Sequence, residues 1–107
     1  MVTEITCQEL HKLLQQPAND LYLLDVREEW EWQLAHIEGS HLLPMALIPV
    51  RQSELPSDAL IVTLCHHGVR SLQAAAYLSS AGHERVVSVK GGIDCWSKEI
   101  DLTVPRY

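Results

Sequence analysis

The sequence holds few cysteines and no Cys-x-x-Cys pair. The three it has, Cys7, Cys65 and Cys95, are odd in number and widely spaced. That argues against a disulfide scaffold and against a structural zinc site. Free thiols suit a reducing compartment, so the chain reads as cytoplasmic. Positive charge is also scarce: 8 Lys and Arg stand against 14 Asp and Glu, a formal net charge of -6. Such a chain has no electrostatic footprint for nucleic acid, and anionic membranes are disfavoured. An anionic substrate would need a local positive site working against the overall field. Long apolar runs are missing too. The stretch LLPMALIPV is short and holds two prolines, so it cannot span a bilayer. The N-terminal MVTEITCQELHKLL carries an acid and has no basic segment before an apolar one, so it does not read as a signal peptide. No repeat, low-complexity segment or linker is visible, and 107 residues suit one domain with a modest core, 1–107.

What is present alternates short apolar runs with helical periodicity. Thr6 and Glu9 have capping-box spacing ahead of Leu10, Leu13 and Leu14 on one helical face. Pro17, Asn19 and Asp20 end that helix. Leu21 to Val26 reads as a buried strand, and Glu28 to Ala35 as a short helix with Trp30 or Trp32 inward. His41 to Leu43 is a brief strand stopped by Pro44, and Met45 to Gln52 a further short helix. Ala59 to Leu64 is the most strand-like run. Ser71 to Ala81 is helical, with Leu72, Ala75, Ala76 and Leu78 as its apolar side and Gly82 closing it. Arg85 to Val89 is a strand, Gly91-Gly92 a turn, and Ile93 to Ile100 the last helix. Strands separated by helices imply parallel pairing, hence an α/β fold with ligands beyond the carboxyl ends of the strands.

Cys65 sits at one of those ends, in TLCHHGVRS, just ahead of a helix. A cysteine ending a strand is more often a small buried hydrophobe than a nucleophile. The surrounding residues change that balance. The first N–H groups of the following helix are unpaired, and its positive dipole end points at the loop. Gly68 permits backbone conformations closed to other residues. Arg70 adds a permanent charge, and His66 and His67 partial charge below neutrality. Together these favour an anion on the Cys65 sulfur.

CHHGVRS resembles the active-site loop of the rhodanese-like sulfurtransferase domains. LLDVREEWEWQLAHIEGSHLLP resembles the segment those domains carry after their second strand, and VVSVKGGIDCWSKEI their C-terminal signature. The three matches fall in family order across nearly the whole chain. The resemblance implies a three-layer fold with a mostly parallel sheet of about five strands. It implies that Cys65 accepts a sulfane sulfur as a persulfide and passes it to a thiophilic acceptor. Amides of His66, His67, Gly68, Val69, Arg70 and Ser71 would cradle the charge. The donor would be a small anion such as thiosulfate, or another persulfide. The acceptor would be cyanide or a thiol, with a sulfur-relay protein as a further partner. No cofactor and no metal are expected, since adjacent histidines in a tight loop do not converge on one ion.

Asp25 and Arg27 read, by the same resemblance, as structural polar residues near the site, with Glu31 a candidate partner for Arg27. His36 reads as a hydrogen-bonded structural histidine, with Ala35 where the family usually has glycine. Cys95 reads as a small side chain under Trp96, or else as a residue that resolves a Cys65 persulfide. Cys7 reads as an inert thiol. Val104 and Tyr107 are expected to pack the tail onto the domain. Two other functions compete. One is a sulfur carrier or interaction module with little turnover on small molecules. The other, more distant, is a cysteine-dependent phosphatase. Related phosphatases carry Cys-x5-Arg, whereas Cys65 to Arg70 is Cys-x4-Arg, a tighter ring that suits one sulfur atom better than a phosphoryl group.

Overall fold

A computed structural model describes residues 2–16 and 20–107. The breaks expected at Pro17 and Asn19 lie outside them. Five strands, β1 (Thr3–Ile5), β2 (Leu21–Asp25), β3 (His41–Leu42), β4 (Leu60–Leu64) and β5 (Val86–Val89), form one sheet. Their order is β1-β5-β4-β2-β3, and every pairing is parallel. The helices are α1 (Cys7–Leu14), α2 (Glu29–Leu34), α3 (Ile48–Arg51), α4 (Val69–Ser80) and α5 (Gly92–Glu99). None of the described helices is long and apolar enough to cross a membrane.

The alternation of side chains along each strand divides the core in two. Leu23, Val62, Leu64 and Val89 join Leu10 of α1 with Ile93 and Trp96 of α5. Leu24 and Ile61 meet Ile48 of α3 with Ala74 and Leu78 of α4. A strand buried on both faces calls for a near-continuous apolar run, which is how β2 and β4 read in the sequence. The helix ends follow local chemistry. At α1, Thr6 Oγ1 accepts from the Glu9 amide at 3.0 Å while Glu9 returns a bond to the Thr6 amide at 2.9 Å. At the end of α4, left-handed Gly82 lets the His83 amide reach back to the Leu78 carbonyl at 3.0 Å.

Several details differ from the sequence expectation. β1 is three residues long, too short for a periodic signal, and exists by pairing with β5. The 45–54 segment is a 3-10 turn, the single α-turn α3 and a second 3-10 turn, because Pro49 limits its pairing. The inward residue of α2 is Glu31, while Trp30 is 62% exposed and Trp32 only half-buried. On α4 the buried face is Ser71, Ala74, Ala75 and Leu78, and Leu72 and Ala76 face out. The helix begins at Val69, two residues early, which puts Arg70 and Ser71 in its first turn.

Candidate active site

The loop between β4 and α4 is shaped from two sides. Behind it stands the start of α5. The Ile93 amide donates to the Cys65 carbonyl at 2.9 Å, and the Asp94 amide to the His66 carbonyl at 3.1 Å. The unpaired N–H groups of α5 thus absorb the loop's carbonyls. With its oxygens tied back, the loop turns amides toward the cysteine. The fit requires Gly92: a Cβ there would lie 2.4 Å from the carbonyl oxygens of both Cys65 and His66. Gly68, at φ +105, makes the left-handed turn into α4, and a Cβ on it would meet the Gly91 nitrogen at 3.1 Å.

Inside the loop, the Gly68 amide reaches Cys65 Sγ at 3.1 Å and the Ser71 amide reaches it at 3.3 Å. The Ser71 hydroxyl lies 3.4 Å from the same sulfur and 2.8 Å from the Ser88 hydroxyl of β5. Of the six amides expected around Cys65, these two bond its sulfur in the described structure. The sulfur is nearly covered, with Cys65 only 1% exposed, but its neighbours are N–H and O–H groups as well as carbon.

The charged residues sit differently from expectation. Arg70 does not stand free beside the sulfur. Its guanidinium grips the Glu31 carboxylate through two bonds, at 2.7 and 2.8 Å. The Arg70 bonds hold the Glu31 carboxyl down to about 2, against the opposing effect of burial. Glu31 in turn raises Arg70 further above its ordinary range. Glu31 therefore pairs with Arg70, not with Arg27. Arg27 is fully buried and bound to Asp25, its Nη2 2.6 Å from Asp25 Oδ2. It also donates to the carbonyl of Ala35 at 2.7 Å and to the Tyr107 hydroxyl at 2.8 Å. Asp25 and Arg27 are thus a satisfied structural pair beside the loop. Ala35, with φ -163, is extended backbone any residue adopts, so the missing glycine costs nothing there.

His66 supplies little charge at neutral pH. Burial, and then the nearness of His67, hold the His66 imidazole below the usual histidine range. Its Nε2 is buried without a partner. His66 is stacked between His67, ring centroids 3.9 Å apart, and Tyr107, 4.0 Å. His67 is exposed and lies 3.8 Å from Asp94. The fold therefore brings a carboxylate to the histidine pair that the local sequence lacks, and the ligand atoms of His66, His67 and Asp94 lie within 4.8 Å of one another. His36 is hydrogen-bonded as expected, to the Trp32 carbonyl at 2.9 Å, but on the surface.

Tyr107 is the site residue that sequence reasoning missed. The tail was expected to pack back, and Val104 and Tyr107 do join the core. Tyr107 also bonds Glu31 Oε1 at 2.9 Å and so connects Glu31, Arg27 and His66. Ser88 was likewise missed, because a serine inside a strand carries no local signal. A surface cavity of about 440 Å³ is lined by residues such as His11, His36 and Trp96 and by none from the Cys65 loop.

Comparison with known proteins places the chain in a family. The family model described as the rhodanese-like domain matches residues 6–99. The chain belongs to the rhodanese-like domain family. A sulfurtransferase of Allochromatium vinosum is 41% identical over 92% of the chain and 91% of its own length. A thiosulfate sulfurtransferase, GlpE, of Tolumonas auensis is 32% identical over 88% of the chain and 87% of its length. The probable adenylyltransferase/sulfurtransferase MoeZ of Mycobacterium tuberculosis is 37% identical over 96% of the chain, which spans only 26% of that protein. The solved rhodanese-like domain protein of Staphylococcus aureus superposes with a TM-score of 0.85 at 27% identity, over 99% of both chains. In this rhodanese-like chain the Cys65 loop is tied to the start of α5 by two backbone bonds, and Arg70 beyond it pairs with Glu31 of α2.

Proposed function

We propose that the chain is a sulfurtransferase working through a persulfide on Cys65. The observation that carries this reading is the convergence of the Gly68 and Ser71 amides on Cys65 Sγ. In the first step the Cys65 sulfur attacks the sulfane sulfur of thiosulfate. The donor S–S bond breaks, sulfite leaves with the electron pair, and Cys65 holds the transferred atom as S–S⁻. In the second step cyanide or a thiolate attacks the terminal sulfur and leaves as thiocyanate or a new persulfide, returning Cys65 as it began. Two displacements through a covalent intermediate predict ping-pong kinetics. With Arg70 paired to Glu31 and the His66 imidazole held below the usual histidine range, stabilisation of the anion rests chiefly on oriented backbone dipoles, with the Arg70 charge adding to it from further away. These cost no reorganisation when the charge arrives. The names of the Allochromatium and Tolumonas relatives support the reaction class, and the latter's supports thiosulfate as donor.

A second reading has Cys65 loaded by a partner protein and emptied onto another. It is favoured by the MoeZ relative, in which the matching segment is a minor part of a larger protein.

Intact-mass measurement after incubation with thiosulfate tests both. Sulfur transfer predicts a gain of one sulfur atom, removed by cyanide and absent in Cys65→Ser. No gain from thiosulfate, with loading by a cysteine desulfurase, favours the carrier. Cys65-dependent hydrolysis of para-nitrophenyl phosphate without sulfur loading would establish a phosphatase and overturn the proposal.

A further inference from the structure

Two thiols unused by the Cys65 site meet beneath it. Cys7 opens α1 and Cys95 lies in α5, 88 residues later, yet their sulfurs are 2.7 Å apart. Neither takes part in a disulfide in this structure. Cys7 is fully buried, while Cys95 is half-buried and gives the pair its access to solvent. Glu99, one helical turn beyond, accepts from Cys95 Sγ at 3.3 Å. Its carboxylate is itself held by the side-chain amide of Gln8. A small side-chain shift brings the sulfurs to bonding distance.

We propose that Cys7 and Cys95 form a reversible disulfide that staples α1 to α5, made by exchange with a low-molecular-weight disulfide of the glutathione class. Cys95 loses its proton to solvent and attacks one sulfur of oxidised glutathione. The glutathione S–S bond breaks and one reduced glutathione leaves, carrying a proton. Cys7 then loses its proton and attacks Cys95 Sγ in the mixed disulfide, expelling the second reduced glutathione. Two protein thiols are oxidised, one glutathione disulfide is reduced, and no other reagent is needed.

The surroundings set the character of the pair. Burial, Cys7 and Glu99 push the Cys95 thiol up to about 12. Exchange is therefore slow, because a thiol that holds its proton is seldom a nucleophile. The same property makes Cys95 a poor leaving group, so the disulfide resists opening at that sulfur once made. The cross-link closes nearly the whole chain into one loop, where the constraint on the unfolded state is large. It also fixes the helix whose first amides hold the Cys65 and His66 carbonyls. This inference does not rest on sulfur transfer, since Cys65 takes no part in it.

The test reduces the whole chain, removes reductant, and incubates it with oxidised glutathione for several hours. Free thiols are then alkylated and the peptides mapped by mass. The expected result is a Cys7–Cys95 linkage with Cys65 outside it, reversed by dithiothreitol, and the same linkage in Cys65→Ser. The oxidised chain should melt at least about 5 °C above the reduced one. Alkylation of both Cys7 and Cys95, glutathione retained on Cys95 with Cys7 free, or linkage of either to Cys65 would overturn the proposal. So would uptake of one zinc ion through Cys7, Cys95 and Glu99 with no linkage in glutathione, since those three ligand atoms lie within 4.8 Å of one another.

Discussion

Glu31 shows how much one residue can differ from its local reading. In EEWEW it is the fourth of five acids or tryptophans at the start of a short helix, and the tryptophans are the obvious core candidates. The fold buries the acid because Arg70, arriving from α4, offers two matched hydrogen bonds, and Tyr107 and the Glu28 amide supply two more. This has a pH consequence. The carboxyl falls from an ordinary 4.5 to about 2 on folding, so its stabilisation is fully present above pH 4.5. It is lost as pH falls from there toward 2. Arg70 is one-third exposed, and after discounting for solvent screening the stabilisation is on the order of 2 kcal/mol. Denaturant titrations of Glu31→Gln should show a loss of about that size at pH 7 and a flatter decline between pH 4.5 and 2.5 than the parent. Equal slopes in that window would count against the pairing.

At the scale of elements, the strands and helices that build the site were legible because each carries its own signal. β2 and β4 are mostly apolar runs, α1 has a capping box, and α4 ends at a glycine. Cys65, Gly68 and Ser71 were legible because a strand end, a flexible residue and a helix start fall together in seven residues. Helix phase was not. The helix starts at Val69, after left-handed Gly68, and its buried side is set by packing against the sheet, which no local pattern announces. The tightest joint is between α5 and the Cys65 loop. Gly92→Ala would put a methyl group 2.4 Å from two carbonyl oxygens at φ +59. The variant should lose about 3 kcal/mol or more in thermal or denaturant unfolding, and any folded fraction should load sulfur poorly. A fully stable, fully active Gly92→Ala would mean that α5 does not shape the loop.

Over the whole molecule, what escaped the sequence is contact between distant residues. Arg27 and Tyr107 are 80 positions apart and Cys7 and Cys95 are 88 apart, and no local pattern announces either pair. Asp25 and Arg27 stand out in the sequence as polar residues after a buried strand, yet their setting does not, since the enclosure of Arg27 depends on Ala35, Glu31 and the tail together. A buried ion pair that keeps all its bonds is tolerated, whereas one deprived of a partner is strongly destabilising. Tyr107→Phe keeps the ring on His66 and removes only the hydroxyl shared by Arg27 and Glu31. It should cost about 1–2 kcal/mol in chemical denaturation. No measurable loss would show that the tail does not complete the network.

The central claim is that loop amides hold negatively charged sulfur on Cys65, and the most direct measurement is a high-resolution crystal structure of the thiosulfate-treated chain. The account predicts one added sulfur bonded to Cys65 Sγ, its terminal atom within hydrogen-bond distance of the N–H groups between His66 and Ser71. An added sulfur on Cys7 or Cys95 with Cys65 bare, or a terminal atom directed away from those amides, would contradict it.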